Sequence, residues 1–192
     1  VPTGLTAKYG QTLADVTLPA GWSWMNNTES VGDASTTAKT FKAKFTPTDT
    51  ANYKTVENID VSVAVGKADA PTLADIAVSQ KYTVTTEQSK DIGNGGMPAD
   101  AGTLTYSEGA PALLTGSVAI DSASLDATTG KVTYKLSGGK AGDTVTLPVI
   151  IESANYADAT VNVVITLTAK DDQAALTLTG ETTVVYGQTL QL

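Results

Sequence analysis

The chain contains 192 residues with a formal net charge of −8, it has no cysteine or histidine, and every one of its 12 basic residues is a lysine. These absences exclude disulfide and thiol chemistry, histidine-dependent hydrolase triads, imidazole metal sites and the bidentate grip of arginine on phosphate. The negative charge argues against nucleic acid and anionic membranes as partners. We therefore predict a protein that is not an enzyme, needs no cofactor and does not bind nucleic acid.

Threonine, valine and alanine are abundant and aromatic residues are few, a composition that favours pleated strands over helices. No apolar stretch is long enough to cross a bilayer, so we expect no membrane insertion of this part of the protein. Because the sequence opens inside a repeated unit, we expect any export signal or anchor to lie outside it.

The first unit, module one, covers residues 1–67 and contains two segments with the pattern of half-buried strands. One face of Lys39–Phe45 carries Phe41, Ala43 and Phe45, and every second residue of Ile59–Val65 is Ile or Val, as in a sheet with one buried face. Turn-forming segments rich in Gly, Pro, Asn and Asp separate these strands from the rest of the unit. The predicted core consists of Trp22 or Trp24 with Phe41, Phe45, Tyr53, Ile59, Val61 and Val63.

Module two covers residues 68–170 and follows a predicted stiff linker, Lys67–Pro71, in which the proline restricts the backbone. Pro148 removes a hydrogen-bond donor from its strand, which we therefore expect at a sheet edge or with a bulge. Strands separated by turn signals, without helical patterns, predict an all-β fold of tandem immunoglobulin-like β-sandwiches. The predicted strands of module two are Tyr82–Thr86, Gly102–Tyr106, Val118–Ile120, Val132–Leu136, Val145–Ile151 and Val161–Leu167.

Residues 171–192 begin a further unit and are too few to bury a core of their own. Their alternation of Leu and Thr is that of a strand. We expect this segment to pair with a sheet edge, either on module two or, by strand exchange, on another chain.

Two repeated phrases support this division. Tyr9-Gly10-Gln11-Thr12-Leu13 returns as Tyr186-Gly187-Gln188-Thr189-Leu190, and Ala51-Asn52-Tyr53 returns as Ala154-Asn155-Tyr156. Self-similarity of this kind is typical of a modular array, in which one structural unit is used repeatedly.

These phrases belong to a wider set of residues that resembles the bacterial immunoglobulin-like repeat domains of Gram-positive surface and secreted proteins. The resemblance covers nearly the whole chain and implies an extracellular location, at the cell wall or secreted. It further implies a β-sandwich array used as a stalk, spacer or adhesin, without catalytic residues. The residues that carry it are Leu18–Trp24, Val31–Asp33, Phe45–Asp49 and, for a longer variant of the repeat, Pro98–Tyr106 and Glu152–Thr160.

Trp22 and Trp24 are the candidate binding residues. Two positions apart on a strand, they project from one face and could form a stacking platform for a sugar ring. The alternatives are that this face belongs to the core of a small module, or that one ring lies near a joint between modules. We favour packing over binding, because module one has few other bulky residues.

Further hypotheses concern the repeated tyrosines and the joints. Tyr53 and Tyr156 each precede the last long strand of a module, where a ring would cap the core and its hydroxyl would bind nearby backbone. Acidic residues near the joints could hold calcium, although no ligand pattern selects them, and no metal site is predicted. The candidates are Asp69, Asp171 and Asp172 for calcium, and Lys8, Asn58 and Asn155 for an intramolecular isopeptide bond.

The predicted function is structural. The modules form a spacer array of a bacterial cell-surface or secreted protein that projects a functional domain, and their partners are neighbouring modules of the same protein. The alternative is an adhesin or carbohydrate-binding module that contacts host or plant glycan, or a surface protein.

Overall fold

The computed structural model describes residues 1–170, so the predicted third unit and its strand pairing lie outside the described residues. The described chain is all-β, with one short 3-10 helix at Leu13–Asp15. Among residues 1–170 there is no helix with the length and apolar character that a membrane crossing requires. The strands are β1 (Leu5–Lys8), β2 (Trp22–Trp24), β3 (Lys39–Phe45), β4 (Val56–Gly66), β5 (Ile76–Lys81), β6 (Gln88–Asp91), β7 (Leu104–Glu108), β8 (Leu113–Leu114), β9 (Val118–Leu125), β10 (Lys131–Gly138), β11 (Thr144–Ser153) and β12 (Ala159–Thr168).

Module one contains a single four-stranded sheet in the order β1-β4-β3-β2, with β1 parallel to β4. The segment between β1 and β3 covers one face of this sheet and contributes Leu13, Val16 and Val31 to the core. Phe41, Val61 and Val63 are buried as predicted, whereas Phe45 and Ile59 are only half-buried and Tyr53 is exposed. The buried apolar residues are Ala7, Leu13, Val16, Val31, Phe41, Ala43, Val61, Val63 and Val65.

Module two is built from two sheets that enclose one hydrophobic core. The first sheet has the order β6-β10-β9, and the second has the order β5-β12-β11-β7, with β8 also paired to β11. Tyr134 from the first sheet and Ile151 and Ile165 from the second are buried in the same cluster. The inner face of β11 and β12 is apolar except for Ser153, which explains the strong alternation of these segments.

The predicted strand Tyr82–Thr86 is wrong, because these residues form a turn after β5. Val84 N–H donates to Lys81 O at 2.9 Å and closes the turn. The side-chain amide of Gln80, which is buried, donates to Val84 O at 2.8 Å and stabilises the same turn. The alternation of Tyr82, Val84 and their neighbours therefore comes from a turn that lies against the core.

The expectation that Pro148 lies in an edge strand is also wrong, because β11 has β12 on one side and β7 and β8 on the other. β7 pairs with β11 from Val149 onward and β8 pairs at Val145 and Thr146, so Pro148 faces the gap between them. Gly109 N–H donates to Pro148 O across this gap at 2.9 Å. Pro148 has no backbone N–H to donate, and on this side of β11 no strand residue is paired with it.

Candidate functional site

The densest set of polar contacts between distant parts of the chain lies where module one meets module two, and we call it the joint. Module one contributes the end of its first strand and a loop before β3. Module two contributes the loop before β12 and a turn before β7. The residues of the joint are Lys8, Tyr9, Asp33, Ala34, Lys67, Ala68, Asp69, Asp100, Asn155, Tyr156, Ala157 and Asp158.

Asn155 lies at the centre of the joint and is 4% exposed. Its side-chain Oδ1 accepts a hydrogen bond from the Ala34 N–H at 3.1 Å, and its Nδ2 donates to Asp33 Oδ1 at 3.1 Å. The same Nδ2 donates to the backbone oxygen of Asp100 at 3.0 Å, within module two. One buried amide therefore ties a loop of each module together, and its burial is compensated by hydrogen bonds on both its oxygen and its nitrogen.

Two tyrosines, one from each module, share the carboxylate of Asp100. Tyr9 Oη donates to Asp100 Oδ2 at 3.0 Å, and Tyr156 Oη donates to Oδ1 at 3.1 Å. The two rings meet edge to face with centroids 5.6 Å apart. The hydrogen bond to Asp100 raises the pKa of Tyr9, and burial together with the same carboxylate raises the pKa of Tyr156.

The linker itself is hydrogen-bonded to module two. Ala68 N–H donates to Asn155 O at 2.8 Å, and Ala157 N–H donates to Ala68 O at 2.8 Å. Ala68 and Tyr156 thus form a parallel bridge. Exposed ion pairs between Lys8 and Asp69 and between Lys67 and Asp158 lie on either side of this bridge, and pairs of this kind contribute little free energy.

Gly102 allows the turn that carries Asp100 to approach the Asn155 loop. Its φ is +78°, and a side-chain Cβ at this position would lie 2.9 Å from the Cβ of Ala154. Any other residue would therefore be strained in its backbone and would push the two loops apart. Gly102 therefore contributes to the joint by allowing this close approach of the two loops.

The tyrosine hypothesis needs correction at both positions. Tyr53 is 66% exposed and does not cap the core of module one. Tyr156 packs partly against the core of module two, but its hydroxyl binds the Asp100 side chain and its ring contacts the other module. The repeated phrase therefore marks a loop at the end of a module, and in module two this loop carries the joint.

The two tryptophans lie on β2, away from the joint residues. Trp24 donates its indole N–H to Val16 O at 2.9 Å and meets Phe41 edge to face. Trp22 packs on Phe45 with ring centroids 5.2 Å apart. Both rings, each half-buried, line one shallow depression of about 290 Å³. The hypothesis that one ring lies at the joint is wrong.

Neither of the other two candidate sites, for calcium and for an isopeptide bond, is assembled in residues 1–170, and Asp171 and Asp172 lie outside these residues. No group of three metal-ligating side chains occurs there, and Asp69 pairs with Lys8 at 2.6 Å. The candidate isopeptide residues are not brought together, because Lys8 is exposed and the Asn155 amide is bound to Asp33 and Asp100. Asn58 has a positive φ of 59° and lies exposed at the start of β4.

Sequence reasoning missed Tyr9, Asp33, Ala34 and Asp100 as functional positions. The repeated phrases were a signal for Tyr9 alone, because Asp33, Ala34 and Asp100 lie in neither of them. A cleft of about 340 Å³ between the edges of β7 and β9 was also missed. It is mainly apolar and its lining includes Ala110, Pro111, Ile120, Leu125 and Leu147.

Comparison with known proteins identifies no family. No family model and no curated protein matches the chain. Among solved structures, endo-fucoidan hydrolase MfFcnA9 from glycoside hydrolase family 107 aligns with 79% of this chain and 26% of its own, at 12% identity and a TM-score of 0.30. Endo-fucoidan hydrolase MfFcnA4 of the same family aligns with 80% of this chain and 23% of its own, at 16% identity and a TM-score of 0.27. The chain thus spans about a quarter of the solved structures it matches, and likeness at this level says nothing about activity.

Proposed function

We propose that this chain is part of a tandem immunoglobulin-like array that acts as a stiff spacer in a bacterial cell-surface or secreted protein. The second, sixth and fifth strands of module two form one sheet, and its first, eighth, seventh and third strands form the other. This order supports the proposal, because it is the one expected of an immunoglobulin-like domain whose first strand lies beside its last. Module one keeps the same parallel pairing of first and last strands.

The observation that carries the proposal is the joint. The linker residue Ala68 is bonded to module two through both its N–H and its carbonyl, and the Asn155 side chain bonds to two residues of module one. A linker without such bonds would leave adjacent modules free to reorient. Modules held in one relative orientation instead keep the array extended, as a spacer requires.

The test is small-angle X-ray scattering of the chain and of Asn155→Ala. We expect the parent chain to scatter as one elongated shape and the variant to show a broader range of shapes, because the Ala34 N–H and the Asp33 carboxylate lose their partner across the joint. Because Asp33 is exposed and Ala34 is half-buried, each lost hydrogen bond should cost about 0.5–1.5 kcal/mol.

Asn162→Ala is the matched control, because its amide donates to Asp75 within module two at 2.9 Å. A parent chain that already samples a broad range of compact and extended shapes would contradict the spacer proposal.

A second candidate function, glycan binding, is favoured by one observation. Trp22 and Trp24 line the same depression, together with Leu18 and Asn27. If this depression binds a sugar ring, added plant or host polysaccharide should shift the tryptophan emission, and Trp22→Ala should abolish the shift. The control is Met25→Ala, an exposed neighbour outside the depression. Emission that no polysaccharide changes would leave the tryptophans as packing residues.

A further inference from the structure

Each module has two ends of different character. One end carries a Lys-Tyr dipeptide after the first strand, and we call it the Lys-Tyr end. The opposite end carries an Asn-Tyr dipeptide in the loop before the last strand, which we call the Asn-Tyr loop. The Lys-Tyr ends are at Lys8-Tyr9 and Lys81-Tyr82, and the Asn-Tyr loops are at Asn52-Tyr53 and Asn155-Tyr156.

The two Lys-Tyr ends have the same backbone geometry. Tyr9 N–H donates to Gly66 O at 2.8 Å, and Tyr82 N–H donates to Thr168 O at 3.0 Å, so each tyrosine is bonded to the end of its module's last strand. Both tyrosines are half-buried. A turn follows each of them, closed by Gln11 N–H to Lys8 O at 3.1 Å and by Val84 N–H to Lys81 O at 2.9 Å.

The two Asn-Tyr loops differ in what covers them. The loop of module two is covered by the Lys-Tyr end of module one, which leaves Asn155 4% exposed. The loop of module one is open, since every residue from 51 to 58 is exposed, including Tyr53 at 66% and Val56 at 54%. Asn52 Nδ2 bonds instead within its own loop, to Asp49 Oδ2 at 2.6 Å.

We propose that the Tyr53 loop is the acceptor half of a second joint, and that its occupant is the Lys-Tyr end of another module of this protein, joined ahead of module one. The phrase that forms a joint in module two is present in module one with its tyrosine exposed, and Val56, three residues further on, is exposed as well. This inference rests on the proposed spacer function, because it extends the observed joint to a repeated one.

A preceding module in the same chain suits this surface better than a separate molecule. The observed joint is made of two short loops and a bridge, so its area is small, and small contacts between separate proteins are weak. A linker of a few residues raises the effective concentration to the millimolar range, at which such a contact closes. Pro2-Thr3 ahead of β1 repeats Pro71-Thr72 ahead of β5, with one residue before the strand in module one and three in module two.

The experiment places residues 1–69 directly ahead of Val1 of the whole chain. The junction Asp69-Val1-Pro2-Thr3 then matches Asp69-Ala70-Pro71-Thr72, with Val1 in place of Ala70. The added copy carries Tyr53→Phe, so that the product has a single Tyr53, in the acceptor loop. The measured quantity is the rate of Tyr53 nitration by tetranitromethane, mapped by mass spectrometry, in the extended chain and in the original one.

We expect the nitration of Tyr53 to slow about fivefold or more in the extended chain, because a joint closed about four-fifths of the time leaves only the open fraction to react. The matched control carries Tyr9→Ala in the added copy and should restore most of the original rate. An unchanged rate in the extended chain would overturn the inference. Slow nitration of Tyr53 that appears only at high concentration of the original chain would overturn it too, in favour of a second molecule.

Tyr156 in the same samples separates this inference from the proposed function. Slow nitration at Tyr156 with fast nitration at Tyr53 means that the observed joint is closed and that only the second joint fails. Fast nitration at both means that the spacer proposal fails as well. If the added module does not fold, as judged by its tryptophan emission, residues 1–172 carrying Tyr53→Phe are placed ahead of Val1. They present the Tyr82 end of a whole copy, and the expectation is the same.

Discussion

At the scale of single residues, the joint depends on the protonation of two phenols. Tyr9 and Tyr156 both donate to Asp100, so each must keep its proton for the contact to persist. Loss of either proton would place a phenolate beside a carboxylate, and the contact would become repulsive. The raised pKa of both tyrosines expresses this preference for the neutral form.

The joint should therefore open at alkaline pH. Because the pKa of each phenol is raised by the folded contact, the stabilisation is fully present below the unfolded tyrosine value of about 10 and is lost as pH rises through the higher folded value. Scattering at about pH 11 should show a broader range of shapes than at neutral pH. Tyr9→Phe keeps the ring contact with Tyr156 and should reduce this pH dependence, whereas Tyr53→Phe, away from the joint, should not. Identical scattering at both pH values would contradict this account.

At the scale of elements, the strands of module one show how far alternation predicts burial. Lys39–Phe45 has the predicted bounds, and β4 extends the predicted strand by a few residues. The pairing of β3 with β4 shifts between Ala43 and Phe45, where two steps on β3 oppose three on β4. Phe45, the last residue of β3, lies beside this irregularity and packs half-buried against Trp22. A register irregularity depends on the partner strand, and the pattern of one strand does not contain it.

Phe41 and Phe45 differ in burial, so we expect their truncation to have different effects on stability. Phe41 is 8% exposed, and Phe41→Ala should destabilise module one by about 3–5 kcal/mol. Phe45→Ala should destabilise it less, because Phe45 is less buried than Phe41. Urea unfolding followed by tryptophan emission measures this directly, since both tryptophans of the chain lie in module one. A larger loss of stability for Phe45→Ala would mean that the inner face has been assigned to the wrong residue.

At the scale of the whole molecule, local patterns predicted the all-β fold but not the joint. Alternation and turn residues act over a few positions, and they located most strands of both modules. The joint brings Tyr9 to Asp100 and Ala34 to Asn155, pairs separated by 91 and 121 positions. Sequence repetition marked Asn155 and Tyr156 as important, yet only the relative placement of the modules shows that they bind Asp33 and Tyr9.

The parallel pairing of first and last strands has a mechanical consequence. In each module the chain enters along one strand of this pair and leaves along the other, so tension on the two ends slides the strands past each other. All hydrogen bonds of the ladder then share the load, instead of opening one after another. The β1 and β4 ladder has four registered pairs and the β5 and β12 ladder has six. A stretched chain should accordingly yield first in module one, while module two holds to a higher force.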